Sequence, residues 1–448
     1  MRSSRPGLRK TSVGTATSSN VSSPDALARP LAIGFLHVGP PSHGVLRYGR
    51  ILAAETARRP DVRVDEVEVP MQQGRLAVRP LRRAARALRH CDVVHLQYNV
   101  QRDGCVWGAR WHQLLHLRAF LDACDSAVVC TIHDAYPMPP LSELPVIVRD
   151  AVKEVFARGL AMLGAPGSGR QARAGIGNRV RGLRRSVSIP GIPLRFLAAR
   201  AGRLVVCSEQ ERVTLQSAVA SPHVRVIPHF VEERPILPSS DDARRKLGLE
   251  GFRIVTLLGY IHPRKGHRLA LEALARLPAE FVLVFAGDAP RGGEQFLERL
   301  LARAQELGIR DRVRVTGYLD EDTLDDYIAA THVPVCPFSA VAGSGSMSTW
   351  ISAGRMFLSS DLPLVREYNS MATDAIATFA TNDAPTLAEA VLQFDRGSRA
   401  EAPILALRRA LHVSQIVGAH MAIYREALGD VRTLRIPRFT SGENERGS

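Results

Sequence analysis

The sequence predicts an α/β protein built from two doubly wound halves, and three observations carry that expectation. Short apolar runs alternate with segments of helical periodicity along most of the 448 residues, the pattern of parallel sheets covered by helices. The series runs through once and restarts after about residue 240. Several runs end in glycine or polar residues, and open α/β sheets bind ligands outside the carboxyl ends of their strands. A chain of this length with 45% hydrophobic residues has material for two cores.

In order, LAIGFLHV (31–38) reads as a first strand and HGVLRYGRILAAETARR as a helix. VRVDEVEV, CDVVHLQYN, AVVCTIHD, RLVVCS and VRVIPHF read as further strands. The second series opens with the strand FRIVTLLGY, the helix KGHRLALEALARL and the strand FVLVFAGD. It continues through GEQFLERLLARAQELG, VRVTGYLD, EDTLDDYIAATH and VPVCPF, and SQIVGAHMAIYREAL (414–428) is a last helix. The predicted division is a basic tail at 1–30, a first half at 31–230 joined by the returning helix 414–428, a second half at 231–413 with a hinge near 231–240, and a tail at 431–448. The N-terminus lacks an apolar core of the signal-peptide kind, and no apolar run approaches the ~18 residues of a membrane span.

The net charge of +15 is uneven. Residues 1–30 and the ten arginines between Arg158 and Arg203, a stretch with no acid, account for all but one of those charges. The fold itself is near neutral. The insertion at about 158–192 has no aromatic residue to interleave with its arginines, which argues against nucleic acid as a partner. It follows LPVIVRDAVKEVFARGLAML (144–163), whose apolar residues keep helical spacing, so the arginines from Arg158 to Arg203 are expected to meet an anionic membrane surface. Six cysteines without a CxxC pair predict buried free thiols of a reducing cytosol. Asp325 and Asp326 fall in a helix and are read as solvent-facing; no strand end carries a carboxylate pair, so no metal is expected.

Two turns invite phosphate. GYIHPRKGH (259–267) sets Arg264 and Lys265 at a helix start, where open N–H groups and the helix dipole favour anions. GSGSMSTW (343–350) brings N–H groups and hydroxyls before a second helix. Neither is a Walker motif, and GAPGSGR (164–170) lacks the Lys-Ser/Thr pair and the preceding strand.

The order of these pieces resembles the family-4 retaining glycosyltransferases of the GT-B fold (glycosyl transferases group 1) over residues 31–428: the strand with its KG turn, FAGD, VTGYLDEDTLDDYIAATHVPVCPF and a glycine-rich turn, preceded by DVVHLQ, TIHD, LVVCS and VIPHF. The resemblance implies two Rossmann-like domains facing across a cleft, with the C-terminal helix crossing back to the first. It implies a nucleotide-diphosphate sugar, UDP- or GDP-linked, as donor substrate, bound by Gly44, Gly259, Arg264, Lys265, Gly287, Gly317, Gly343, Ser344, Gly345, Ser346, Met347 and Thr349. It implies His133 as the residue at the sugar, with His43, Asn99 and Asp134 on the acceptor side. It needs no cofactor. The chain departs from the family at Tyr260, where an arginine is usual, and at Val341 and Thr349, where the two glutamates of the E-x7-E motif belong. The implied activity is retaining hexosyl transfer to a sugar or lipid-linked acceptor in cell-surface polysaccharide or glycolipid synthesis, in the cytoplasm and peripherally on the inner face of the cell membrane. The alternative is a non-catalytic GT-B protein that binds a nucleotide or a partner.

Overall fold

The structure, a computed structural model, describes residues 29–434 except 41–42, 72–75, 100–105, 109–111, 134–190, 220, 222, 233, 235, 291, 342, 381–382 and 398–399. Asp134, the arginines of the insertion up to Arg185, and both termini therefore lie outside the described residues.

The first half runs β1 (Leu31–Gly39), α1 (Gly44–Ala57), β2 (Val62–Pro70), α2 (Val78–Ala87), β3 (Val93–Asn99), α3 (Gln113–Leu121) and β4 (Ala127–His133). It continues with α4 (Gly191–Arg200), β5 (Arg203–Val206), α5 (Glu209–Ala218) and β6 (Val224–Val226). The second half has α6 (Ser240–Leu247), β7 (Arg253–Leu258), α7 (His267–Leu274), β8 (Phe281–Ala286), α8 (Glu294–Glu306), β9 (Val313–Val315) and α9 (Glu321–Ala330). Then follow β10 (Val333–Cys336), α10 (Gly345–Ser352), β11 (Leu358–Ser360), α11 (Pro363–Met371), β12 (Ala377–Phe379), α12 (Ala384–Arg396), α13 (Ala402–Ala410) and α14 (Val413–Leu434).

Two six-stranded parallel sheets result, ordered β2-β1-β3-β4-β5-β6 and β12-β11-β10-β7-β8-β9. Each is covered on both faces, as parallel sheets must be. In β1 the alternation is direct: Leu36 and Val38 pack with Val94, Trp107 and Phe120 on one face, while Ile33 and Phe35 pack with Val129 on the other. That second face is closed by α14, whose Ile416, Val417, Met421 and Tyr424 join the same cluster. Glu426 of α14 accepts from Arg203 and Arg225, both at 3.1 Å. The chain thus returns to its first half, as expected.

The halves meet at defined points. Val231 and His412, one on each crossing segment, lie side by side as a parallel bridge. The Glu367 carboxylate of α11 accepts from the Glu209 N–H at 3.0 Å, so a side chain of the second half occupies the open N-terminus of α5 in the first.

Several expectations need correction. α14 continues to Leu434, so residues 431–434 are helix rather than tail. Arg29 pairs with Asp92 at the foot of β3 instead of belonging to a free tail. The helices α2, α3, α4, α5, α6, α11, α12 and α13 and the short strands β11 and β12 had no counterpart in the sequence reading. Asp326 is buried and pairs with Lys246, and Asp325 pairs with Arg234; both tie α9 to its neighbours rather than facing solvent.

Candidate functional site

Three adjacent strands of the second sheet end in glycines of positive φ: Gly259 (91°), Gly287 (157°) and Gly317 (73°). A Cβ on Gly287 would meet the Gly259 carbonyl oxygen at 2.4 Å, and one on Gly259 would meet Lys265 Nζ at 2.5 Å. Side chains are excluded, so backbone and Lys265 form the rim. Lys265 lies in a 3-10 turn (Pro263–Lys265), one residue before the cap of α7 rather than within that helix as expected. Its ammonium donates to the Leu258 carbonyl at 3.0 Å and to Ser346 Oγ at 2.5 Å, and Ser346 in turn donates to Leu258 at 2.7 Å. It also lies 5.4 Å from the centre of the Phe338 ring. Among the described residues no carboxylate pairs with it. Burial pulls its pKa down to about 8, with Arg264 adding to the effect and Cys336 opposing it, and it stays mostly cationic at neutral pH.

The glycine–serine turn becomes the start of α10. Ser344 caps it, its Oγ accepting from the Met347 N–H at 3.2 Å, and Met347 is buried beneath. A Cβ on Gly345 would meet nothing within 4 Å, nor would one on Gly44 at the start of α1. Among the described residues, space is therefore open beside both glycines. Thr349 donates its hydroxyl proton to Gly345 O at 2.9 Å, which leaves its oxygen lone pairs as the groups a ligand can use. Val341 is 6% exposed and packs in the core with Phe338, Met347 and Trp350. It presents nothing to a sugar.

The first half contributes a different kind of surface. His133 ends β4, is 8% exposed, and its Nε2 bonds Gln97 Oε1 at 2.7 Å. The Gln97 amide nitrogen lies 3.2 Å from His95 Nε2, whose ring also contacts Thr131 (2.9 Å) and Tyr424 (2.6 Å). Burial, then the neighbouring His229, His43 and His420, push the His133 pKa down to about 3. The ring is neutral at physiological pH and is suited to hydrogen bonding rather than to proton donation. His43 caps α1, its Nδ1 accepting from the Val45 N–H at 3.2 Å. Asn99 is fully buried and turns its Oδ1 inward to the Val106 N–H.

The two surfaces approach each other. Tyr48 of α1 packs edge-on against His133 and against His229, both at 4.9 Å between ring centres. His229 Cδ2 lies 3.9 Å from where a Gly343 Cβ would stand. The histidine at the first sheet is thus linked through two rings to the glycine turn of the second. The sequence pointed to His133 but not to Tyr48. Tyr48 is buried on the inner face of a helix, so its proximity is a matter of helix packing. The sequence did not point to the bond between Ser346 and Lys265 either.

Architecture and site together define a GT-B protein: two parallel α/β halves with a phosphate-favouring rim on the second and polar strand ends opposite. More narrowly, residues 239–400 match the family profile Glycosyl transferases group 1, so the second half carries that domain. It is 30% identical over 267 residues to a D-inositol 3-phosphate glycosyltransferase from Acidothermus cellulolyticus, a match covering 55% of this chain and 58% of that protein. The similarity thus spans little more than half of that relative's length. Among solved structures, HepE of Anabaena in complex with UDP and glucose shares the fold with a TM-score of 0.56 and 14% identity, covering 90% of this chain and 99% of that one. A glycosyltransferase from Rickettsia africae does so with a TM-score of 0.58 and 12% identity over 90% of this chain and 99% of that one.

Proposed function

We propose that this protein transfers a hexosyl group, with retention, from a nucleoside-diphosphate donor held by its second half to an acceptor held by its first. The observation that carries this reading is Lys265: a cation without a carboxylate partner among the described residues, held by Leu258 and Ser346 on a glycine rim that excludes side chains. A diphosphate supplies the missing charge, and Arg264 and the starts of α10 and α1 add to the same field. Leaving-group stabilisation of this kind is the large electrostatic contribution to such transfers. No enzyme carboxylate need stand beside the anomeric carbon, because the donor's own phosphate oxygen can receive the acceptor proton while both substrates lie on one face. His133 and its Gln97 partner then orient sugar hydroxyls. UDP bound to the structural relative HepE is consistent with a uridine donor, and GDP is the other base to test.

A second reading is favoured by one observation. Val341, at the position of a family glutamate, is core, so the sugar end of the donor site lacks its usual acid. A nucleotide-binding protein without transfer would look like this. The two readings separate in one experiment: calorimetry with UDP and GDP, then hydrolysis of a panel of UDP-, GDP- and ADP-sugars. Binding with turnover supports transfer; binding with no turnover of any donor, with or without acceptors, supports the second reading; no binding removes both.

The acceptor-side proposal extends to the membrane. The arginines of the insertion, outside the described residues, are proposed to hold the first half at an anionic leaflet beside a lipid-linked acceptor used in polysaccharide or glycolipid synthesis. Among the described residues no helix is long and apolar enough to span a membrane. Sedimentation with anionic vesicles at low salt, lost when Arg179, Arg181, Arg184 and Arg185 become serine, is the expected result.

A further inference from the structure

Strand β2 is the edge of the first sheet, separated from β3 by β1. Asp65 in β2 stands beside Gly34 in β1. Because residue 34 has no side chain, Cys91 on the far side leans over β1: a Cβ at Gly34 would meet Cys91 Sγ at 3.1 Å and Leu88 at 2.9 Å. The thiol reaches within 3.7 Å of Asp65 Oδ2, and His90 Nε2 lies 3.1 Å from the same oxygen. One ligand atom from each of the three residues lies within 4.8 Å of both others.

We propose that Asp65, His90 and Cys91 form a binding site for a zinc-class divalent cation, separate from the donor cleft, that pins edge strand β2 to the start of β3. The chemistry of the set is mixed thiolate, imidazole and carboxylate, which suits zinc and cobalt and not magnesium or calcium. The two distances to Asp65 also fit. Zinc bonds of about 2.0–2.3 Å at tetrahedral angles put donor atoms about 3.3–3.6 Å apart, against the observed 3.1 and 3.7 Å. The backbone around the donors is already fixed. The Cys91 N–H bonds Leu88 O at 3.0 Å, the Asp92 N–H bonds Ala32 O at 2.7 Å, and Asp92 Oδ2 accepts from the Ala32 N–H at 2.9 Å. A fourth position is left for water, on the side where His90 is exposed. Cation binding releases the thiol proton to solvent. One group competes: Arg63 Nε lies 3.2 Å from Asp65 Oδ2, on a side chain 56% exposed that can swing into water.

The sequence hides this cluster because Asp65 lies 25 residues from His90, and the side chains of β2 and of the turn before β3 meet only across the gap at Gly34. The test titrates cobalt, then zinc, into the full chain after chelator treatment. The expected result is one cobalt per chain with thiolate-to-cobalt charge-transfer absorption, displaced by zinc, and a rise in Tm with zinc. Cys91→Ser removes the thiolate band. His90→Ala, at an exposed position where folding is not at stake, weakens cobalt binding at least tenfold, and Arg63→Ala tightens it several-fold. Absence of the thiolate band in the wild-type chain, or cobalt binding that His90→Ala and Cys91→Ser leave unchanged, overturns the proposal.

Discussion

The two halves carry their polar groups in opposite ways. In the second half the site is built from backbone, positive-φ glycines and open helix starts, together with the half-buried cation Lys265. In the first half it is built from buried neutral side chains: His95, Gln97 and His133 are bonded in a row, with His420 packed 5.2 Å from His95. A backbone rim serves a ligand that brings its own charge and shape, such as a diphosphate. A row of buried uncharged donors and acceptors serves a ligand that must be oriented by hydroxyls. The difference teaches which changes each half tolerates: the second is sensitive to added atoms, the first to added protons.

The largest expected effect tests the rim. Gly266 has φ 74°, and a Cβ there would stand 1.8 Å from the Pro337 carbonyl oxygen. Gly266→Ala therefore forces the Lys265 turn away from Pro337 or strains both, at a cost of about 3 kcal/mol or more. Urea denaturation checks this. A loss under 1 kcal/mol would mean the turn is soft and the rim is not backbone-built. Lys265→Ala comes next. It leaves the backbone intact, so stability should change little, while UDP or GDP affinity falls by about 1.5–3 kcal/mol, the worth of a charge-assisted contact. Unchanged affinity in calorimetry would remove the phosphate assignment.

The first half is probed with protons. Among the described residues neither ring nitrogen of His420 has a hydrogen-bond partner, and burial pushes its pKa down to about 3, as it does for His133. The unfolded chain takes up these protons near pH 6.5, well before the folded one does. Stability is therefore full above about pH 7 and falls as pH drops from about 6.5 toward 3, by about 2 kcal/mol per such histidine at pH 5. His420→Leu should leave Tm at pH 8 within a few degrees and reduce the loss between pH 8 and pH 5. An unchanged acid loss would place the sensitivity in other buried rings, such as His95 and His133 of the first half and His267 of the second.

The same contrast explains what was legible. The rim could be read because glycine, lysine and serine at a strand-to-helix turn act through local backbone, and the turn lies within one short stretch. Two sheets and the returning helix could be read because apolar runs and helical spacing repeat. The histidine row could be read only as separate strand ends: Gln97 joins His95 to His133 because β3 and β4 lie side by side in register, Asn99 opposite His133. Asn99 illustrates the limit. It too ends a strand, yet its side chain turns inward to hold the Val106 N–H. Tyr48 and the Asp65–Cys91 approach depend on packing between elements, which spacing along the chain does not encode.

The smallest effect concerns Thr349, which on the proposed function meets the part of the donor beyond its phosphates. Its hydroxyl proton is committed to Gly345 O, so it can only accept, and ribose hydroxyls are donors. A neutral bond of that kind is worth about 0.5–1.5 kcal/mol. Thr349→Val keeps the shape of the side chain and the turn of α10, and removes the acceptor alone. Calorimetry should show a two- to tenfold loss for UDP or GDP and none for pyrophosphate, which has no ribose. A Lys265→Ala comparison run alongside should lose both ligands. If Thr349→Val weakened pyrophosphate equally, the hydroxyl would belong to the phosphate rim. If neither ligand changed, residue 349 would take no part in ribose binding, and replacement of the family glutamate would have left that end of the site to backbone groups.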